Sequence, residues 1–405
     1  MRKTVGDLVT DTRTATLRIE DGALGPLPTC ELRLRPLTVF VGPQGSGKSL
    51  AAQVLYFFEE LPYLVQWLLS TEPGTASWAA EAMVGFLLDQ LRSPGRRFGT
   101  FANKKVRIAW ARGEPWEIQS VETKAELGFR MYRVNRLVKL SNKDRRVVEH
   151  LRKYAGRSQH LRHHAVFFPT ERIVAPLLRT IGALRVFRLP LTYDLFDHWL
   201  FEHGVEAESE ANDPFETEFL DILGGRALRR GDNWKWKFKE GQFDLDLASS
   251  GQRANWSLPY VTRALRTQAG QSRVAHHALL LVEEPEIHLH PEAQVAAVRL
   301  LVRMVNLGFR VVVTTHSLDV LYAVNNLVQA GLLSEGDGQG LPATDVRLKR
   351  DQVSVYRFRQ GSSPESLVDE ETGFISESEL GRVSESLAEE YNRISAARTA
   401  EGQGR

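Results

Sequence analysis

The sequence predicts an α/β protein whose core is a mixed, largely parallel β-sheet. Three apolar runs, at 37–41, 279–282 and 311–315, have the length of buried strands, and a glycine or a polar residue follows each of them. Residues 50–61 and 291–306 have helix-compatible sequences and lie downstream of the first two runs. Strands that alternate with helices form parallel sheets, because each helical connection returns the chain to the same end of the sheet.

Other segments predict different kinds of element. Residues 105–111, 116–121 and 125–134 alternate between apolar and polar side chains and are separated by turns, which predicts an antiparallel β meander. Residues 185–247 are expected to form a mainly helical arm and a hairpin. An amphipathic helix is expected over 377–395.

The composition excludes several classes of protein. The chain has 405 residues with 52 basic and 50 acidic side chains, so any nucleic-acid surface must be local. Its one cysteine, Cys30, excludes an intramolecular disulfide and suits a reducing compartment. No apolar run approaches the roughly 20 residues that a membrane helix needs, and the first residues contain no apolar signal core. We therefore expect a cytoplasmic protein that has no membrane partner.

The most specific motif is Gly-Pro-Gln-Gly-Ser-Gly-Lys-Ser at 42–49, a complete G-x-x-x-x-G-K-[ST] phosphate loop. Its glycines permit a tight turn whose N–H groups point at phosphate oxygens, and the helix that follows adds its positive end. Lys48 can reach the β- and γ-phosphates of ATP, and the Ser49 hydroxyl can ligate Mg²⁺. The candidate ATP-binding residues of the loop are Gly42, Gln44, Gly45, Ser46, Gly47, Lys48 and Ser49.

Two further polar sites follow predicted strands. Glu283 and Glu284 lie at the end of the apolar run 279–282, at the sheet edge where ligands collect. We expect Glu283 to hold Mg²⁺ and Glu284 to polarise the attacking water. His316 follows the run 311–315 and could donate a hydrogen bond to the γ-phosphate. An alternative for Glu283 and Glu284 is a core strand that ends in solvated acids, and an alternative for His316 is a structural histidine at a strand end.

The fourth element is the signature turn, residues 248–252, which has the sequence Ala-Ser-Ser-Gly-Gln. It precedes a long helical stretch expected from Arg253, and small residues at a helix N-terminus form an anion-binding surface. When this turn is considered alone, an ordinary N-capped helix is a better interpretation of it than an anion-binding site. Its candidate binding residues are Ser249, Ser250, Gly251 and Gln252.

The order of these four elements resembles the ABC-type ATPases of the AAA family, and within them the SMC/RecF/OLD-like branch. Residues 283–291 resemble the branch's D/E-E-P-E-x-x-L-H-P string, whereas transporters usually have an aspartate where His290 stands. Residues 166–172 are similar to the strand and P-x-x-R segment of this branch. Residues 223–225 and 234–238 are similar to the part of these ATPases that precedes the signature. The resemblance implies an ABC-ATPase head with the sheet, meander and arm described above.

This resemblance also implies a homodimer or higher oligomer that forms around Mg²⁺ and ATP. Each nucleotide would lie between the phosphate loop of one copy and the signature turn of the other, where Ser249 and Gly251 would touch the γ-phosphate. Two features depart from the family pattern. Gln44 replaces the usual asparagine, and Pro-Thr-Glu-Arg at 169–172 occupies the joint where a Q-loop glutamine is expected.

The segment 133–164 is rich in arginine, lysine and histidine, and its only acidic residues are Asp144 and Glu149. Such a surface suits DNA, RNA or an acidic partner protein, but a solvated face beside the acidic stretch 202–221 is an equal alternative.

Relatives of this kind serve in bacterial antiphage defence or in DNA repair, and many act with a nuclease. A fused Toprim nuclease is not recognisable after His316, so the resemblance favours a sensor or scaffold ATPase with a separate nuclease or toxin effector. The alternatives are a RecF-like repair ATPase and, less favoured, a transporter subunit. The segments expected are the ATPase core with the phosphate loop (1–61), an inserted helical and β region (62–184), the arm and signature (185–273), the rest of the core (274–360) and a C-terminal helix and tail (361–405).

Overall fold

The computed structural model describes residues 14–56, 58–59, 107–112, 114–122, 127–133, 136–138, 165–174, 213–230, 233–271, 278–333, 340–369, 371–376, 389 and 391–393. In chain order, the strands of these residues are β1 (Ala15–Glu20), β2 (Cys30–Leu34), β3 (Leu37–Val41), β4 (Arg107–Arg112), β5 (Glu114–Glu122), β6 (Leu127–Arg133), β7 (Arg136–Val138), β8 (Ala165–Phe168), β9 (Arg226–Arg230), β10 (Asn233–Phe238), β11 (Gly241–Asp244), β12 (Leu279–Glu283), β13 (Arg310–Thr315), β14 (Val353–Arg359) and β15 (Ser362–Ser366). The α-helices are α1 (48–56), α2 (Pro214–Leu223), α3 (Ser250–Asn255), α4 (Ser257–Gln271), α5 (Pro291–Asn306) and α6 (Leu318–Ala330).

The core sheet has the order β15-β14-β3-β13-β12-β8. Strands β14, β3, β13, β12 and β8 are parallel, and β15 is antiparallel at one edge. One row of paired residues crosses the five parallel strands at Val355, Val39, Val313, Val282 and Phe168. The carboxyl ends of β3, β13 and β12 therefore lie side by side, within three residues of this row. The mixed, mainly parallel sheet predicted from the apolar runs is confirmed.

Both faces of the core sheet are buried, which explains why its strands read as continuous apolar runs. Side chains that alternate along each strand enter two separate hydrophobic clusters. Val39 and Val313 face the cluster that contains α4, α5 and α6, whereas Phe40 and Val312 face the cluster that contains α1, β1 and β2.

The antiparallel meander is confirmed, and it is larger than predicted. Strands β4 to β7 pair in sequence order, and β1 and β2 join them in a six-stranded sheet of order β2-β1-β4-β5-β6-β7. A separate three-stranded sheet, β11-β10-β9, forms where one hairpin was expected. Of the predicted arm, α2 is described, while residues 185–212 lie outside the described part of the chain, as do 62–100 and most of 377–395.

One helix boundary differs from its prediction. The helix expected from Arg253 begins three residues earlier, at Ser250, and Trp256 separates α3 from α4. The earlier start is stabilised by a capping box, in which Ser249 and Gln252 exchange hydrogen bonds between side chain and backbone. No helix within the described ranges combines the length and the apolar character that a bilayer crossing requires.

Candidate nucleotide-binding site

The phosphate loop connects β3 to α1 and depends on three glycines with positive φ. These angles are +148° at Gly42, +72° at Gly45 and +101° at Gly47. Gly42 is also packed closely, because a Cβ atom there would lie 2.2 Å from the carbonyl oxygen of Phe358 in the neighbouring strand β14. The predicted helix start is confirmed, since α1 begins at Lys48.

The Lys48 side chain is folded back into the loop that carries it. Its Nζ donates hydrogen bonds to the carbonyl oxygens of Gly42 at 2.7 Å and Pro43 at 2.8 Å. The Ser46 hydroxyl donates to the same Pro43 oxygen at 2.7 Å. Burial lowers the pKa of Lys48, and the negative charges of Glu284, Glu286 and Glu283 partly oppose this effect. The lysine therefore lies within electrostatic reach of the carboxylates that follow β12.

Glu283 and Glu284 occupy different environments at the end of β12. Glu283 is 4% exposed, and its Oε2 accepts a hydrogen bond from the backbone N–H of Thr170 at 3.3 Å. Glu284 has a φ of +44°, in the left-handed region that non-glycine residues rarely adopt. Its N–H donates to the carbonyl oxygen of Thr314 in β13 at 2.8 Å. This turn directs the Glu284 carboxylate along the sheet edge.

His316 lies beside Glu284, as the order of the motifs predicts. The distance between His316 Nε2 and Glu284 Oε1 is 3.4 Å, and both side chains remain partly exposed. The structure thus brings Lys48, Glu283, Glu284 and His316 together at one edge of the core sheet.

Glu286 was not among the sequence-predicted site residues, yet it organises the strand end that carries His316. Its Oε1 accepts hydrogen bonds from the Thr315 hydroxyl at 2.6 Å and from the His316 N–H at 2.7 Å. The sequence feature that could have indicated Glu286 is its place as the third carboxylate in the Glu-Glu-Pro-Glu string. Only the pairing of β12 with β13 shows what this carboxylate contacts.

The signature turn is placed next to residues 287–290 of the same chain. A Cβ at Gly251 would lie 2.6 Å from the His288 carbonyl oxygen, so this close approach requires glycine. Ser249 caps α3, and the Gln252 side chain donates to the Leu223 carbonyl oxygen at 2.9 Å. Within the described part of the chain, no hydrogen bond of this turn reaches the phosphate loop. Ser249 and Ser250 are exposed.

The residues at the sheet edge fit Mg²⁺ and ATP chemically. The glycine-rich cradle and Lys48 suit phosphate oxygens, while the exposed Ser49 hydroxyl and the buried Glu283 carboxylate are oxygen donors of the kind Mg²⁺ prefers. Among the described residues, no group of three or more His, Cys, Asp or Glu side chains forms a metal cage. In nucleotide sites generally, Mg²⁺ keeps one or two protein ligands along with phosphate and water.

Residues 140–322 match the family model described as "AAA domain, putative AbiEii toxin, Type IV TA system". This region is therefore similar to AAA domains. The match includes β12, β13 and His316, and it begins after the phosphate loop at 42–49. The match supports the resemblance to an AAA-family ATPase that the motifs indicate. ATPases of this family generally use ATP and Mg²⁺. No curated protein matches the chain significantly in sequence.

Solved structures of SMC heads are similar to this chain at low identity. An SMC head bound to the C-winged helix domain of ScpA is 14% identical, with a TM-score of 0.40, and the match covers 87% of this chain and 96% of that one. The SMC head domain from Thermotoga maritima is 12% identical, with a TM-score of 0.40 and coverage of 87% and 98%. A Pyrococcus furiosus-derived SMC head with an extended coiled coil, bound to the C-terminal domain of ScpA, is 12% identical, with a TM-score of 0.39 and coverage of 93% and 99%.

Proposed function

We propose that this protein hydrolyses ATP in a composite site and that two copies associate around the nucleotide. The observation that carries the proposal is the convergence of Lys48, Glu284 and His316, from three separate segments, at one edge of the core sheet. The family match supports the ATPase class, and the predicted roles of the individual residues are part of the proposal.

In this mechanism, the phosphate loop binds the triphosphate through its N–H groups, and Lys48 releases its two carbonyl partners to contact the β- and γ-phosphates. Ser49 and Glu283 would hold Mg²⁺, the latter through water, and the ion would offset negative charge on the phosphates. Glu284 orients a water molecule and accepts its proton as the oxygen–phosphorus bond forms and the bond to ADP breaks. His316 donates to the γ-phosphate, and its 3.4 Å separation from Glu284 lets both groups contact the same reacting atoms.

The second copy of the chain would supply its signature turn to this nucleotide. Ser249, Ser250 and Gly251 lie at the start of α3, and both serines are exposed. An exposed turn at a helix start suits a γ-phosphate bound to a partner copy. ATP would then hold the two copies together, and hydrolysis would separate them.

We further propose that the ATPase is the sensor or scaffold of an antiphage defence complex with a separate nuclease or toxin effector. The support is the motif resemblance and a family description that includes toxin–antitoxin systems. A RecF-like role in DNA repair is the second candidate, because the motifs resemble the branch that also includes RecF-like ATPases. The nucleic-acid surface predicted at 133–164 remains a prediction, because only residues 133 and 136–138 of that segment are described.

The test compares the purified wild-type protein with Lys48→Ala, Glu284→Gln and Ser249→Arg. Phosphate release measures hydrolysis, and light scattering after size-exclusion chromatography measures association with and without ATP. We expect Glu284→Gln to associate with ATP without hydrolysing it, and we expect Lys48→Ala and Ser249→Arg each to abolish association. The proposal fails if those two variants associate with ATP as the wild type does. Mass spectrometry of proteins that copurify with Glu284→Gln from the native host tests for the effector.

A further inference from the structure

Arg172 is fully buried at the joint between β8 and the candidate site. It lies in the short 3₁₀ helix Thr170–Val174, which follows β8 directly, and its exposed fraction is 0%. The guanidinium carbon is 4.6 Å from the centre of the Phe168 ring. Full burial of an arginine is uncommon because of the desolvation cost, so its contacts indicate what the position requires.

One set of these contacts holds the backbone of the two carboxylates after β12. Arg172 Nη1 donates to the Glu283 carbonyl oxygen at 2.6 Å, and Nη2 donates to the Glu284 carbonyl oxygen at 2.7 Å. The planar guanidinium can hold both oxygens in a fixed geometry, which a lysine ammonium cannot reproduce.

Glu284 needs such support because its φ of +44° is unfavourable for a residue with a side chain. Its N–H is held by the Thr314 carbonyl oxygen, and its own carbonyl oxygen is held by Arg172. Together, these two bonds fix the peptide groups on either side of the strained residue. The direction of the Glu284 side chain toward His316 therefore depends on Arg172.

A second set of contacts reaches the C-terminal end of α3, the helix that Ser249 caps. Arg172 Nε donates to the Ala254 carbonyl oxygen at 2.7 Å, and Nη2 lies 3.5 Å from Asn255 Oδ1. Asn255 Nδ2 in turn donates to the carbonyl oxygens of Gly251 at 3.2 Å and Ile287 at 3.0 Å. Because α3 has only six residues, a displacement at its capped end moves its other end as well.

We propose that Arg172 is a positioning residue that couples the signature turn to Glu284 of the same chain. A phosphate group that engages Ser249 shifts α3, and Arg172 transmits this shift to the Glu284 backbone. Binding of one nucleotide in the dimer then adjusts the catalytic carboxylate at the other. This inference rests on the proposed ATP-bridged dimer and adds the route by which its two sites communicate.

The first test is Arg172→Lys, with Arg310→Lys as the matched control. Arg310 is also buried, but it forms an ion pair with Glu59 at the opposite end of the sheet. We expect both variants to melt at lower temperature and to bind ATP with unchanged affinity, since the contacts described above for both arginines lie away from the phosphate loop. Only Arg172→Lys should lower kcat for ATP hydrolysis, by about 100-fold, as expected for a displaced catalytic group. Equal kcat values for the two variants would overturn the inference.

The second test separates transmission from simple support of Glu284. Ser249→Ala and Arg172→Lys are combined, and kcat is measured for both single variants and the double variant. If the two residues act on one route, the double variant is no slower than the slower single variant, whereas independent effects multiply. Multiplication of the two effects would show that Arg172 supports Glu284 without coupling it to the turn, and would refute the proposal.

A third variant, Asn255→Ala, removes the link between α3 and Ile287 without changing a charge, and it takes the place of Arg172→Lys if that protein does not fold. Association of the wild type and of Glu284→Gln with ATP separates a failure of the ATP-bridged dimer from a failure of the coupling through Arg172. If neither associates with ATP, the ATP-bridged dimer fails together with the coupling. The other outcome is that both proteins associate with ATP, while the loss of kcat in Asn255→Ala and in Arg172→Lys multiplies with the loss in Ser249→Ala. In that case the dimer stands and only the coupling fails.

Discussion

The carboxylate of Glu286 accepts a hydrogen bond of 2.7 Å from the backbone N–H of His316, and thereby joins the ends of two neighbouring strands. The same oxygen accepts a hydrogen bond of 2.6 Å from the hydroxyl of Thr315, the last residue of β13. The distance between Glu284 and His316 therefore depends on a residue that lies two positions beyond Glu284.

Removing this carboxylate should slow hydrolysis more than it weakens ATP binding. In Glu286→Ala, the buried Thr315 hydroxyl loses its acceptor, at a cost of about 1–3 kcal/mol in stability. We expect kcat to fall by about 100-fold because His316 is displaced. The control is Glu286→Gln, which keeps an acceptor oxygen and should retain more activity. An alanine variant with full kcat and normal stability would contradict this role.

The close packing of Gly42 predicts a large difference between two glycine substitutions in one loop. Gly42→Ala would place Cβ 2.2 Å from a backbone oxygen, so the loop must move and ATP affinity should be lost. Gly45→Ala meets no atom within 4 Å, and only its φ of +72° opposes it, at roughly 1–2 kcal/mol. Titration with a fluorescent ATP analogue measures both. Equal losses of affinity would show that the Phe358 contact is unimportant.

The ion pair between Glu59 and Arg310 should stabilise the fold without affecting the chemistry of the site. Two hydrogen bonds of 2.8 Å and 2.7 Å join these side chains, which are 2% and 3% exposed. Glu59→Ala removes the carboxylate that pairs with the buried Arg310 and should lower the free energy of unfolding by about 3–5 kcal/mol. Replacing both residues, with Glu59→Leu and Arg310→Met, should recover most of this loss. Urea unfolding measures each variant.

The matched control for that measurement is the exposed pair of Arg18 and Glu31, whose side chains are 51% and 35% exposed. Glu31→Ala should change the free energy of unfolding by less than about 1 kcal/mol. A loss at Glu31 as large as that at Glu59 would argue against burial as the cause.

Glu216 should make stability depend on pH between about 4.5 and about 6. Burial raises its pKa from 4.5 to about 6, although Arg263 and Arg266 favour the charged form. A raised pKa means that the folded state binds the proton more tightly, so the contribution is complete below pH 4.5 and disappears as pH rises through 6. The shift corresponds to about 2 kcal/mol.

The measurement compares urea unfolding of the wild type and Glu216→Gln at pH 4 and pH 7. The wild type should lose about 2 kcal/mol more than the variant between these two values, because glutamine cannot titrate. If the difference between the two proteins is the same at both pH values, the ion pairs with the arginines have cancelled the effect of burial.

Several local features were predictable because short-range chemistry determines them. The phosphate loop, its preceding strand and the start of α1 at Lys48 follow from glycine spacing and an apolar run. The capping pattern of Ser249 and Gln252 was also present in the sequence, and it placed the helix start three residues before Arg253. That boundary was predicted wrongly because the turn was interpreted as a loop before the helix.

Long-range contacts were not predictable in the same way. Arg172 and Glu286 lie in strings that carry the family resemblance, but the strings do not show their contacts, which are backbone carbonyl and N–H groups supplied by other segments. The left-handed conformation of Glu284 is stabilised by Thr314 and Arg172, neither of which is its neighbour in the chain.

The sequence alone determined that a phosphate loop exists, that apolar strands lead to Glu283 and His316, and that the sheet is mainly parallel, because residue type and spacing control local backbone geometry. The tertiary structure decided which strand lies between which others, and therefore that β13 lies between β3 and β12. Only that order brings Lys48, Glu284 and His316 to one edge and places the buried Arg172 against both the end of β12 and helix α3. Strand order depends on the burial of both sheet faces by distant segments, and no local pattern encodes it.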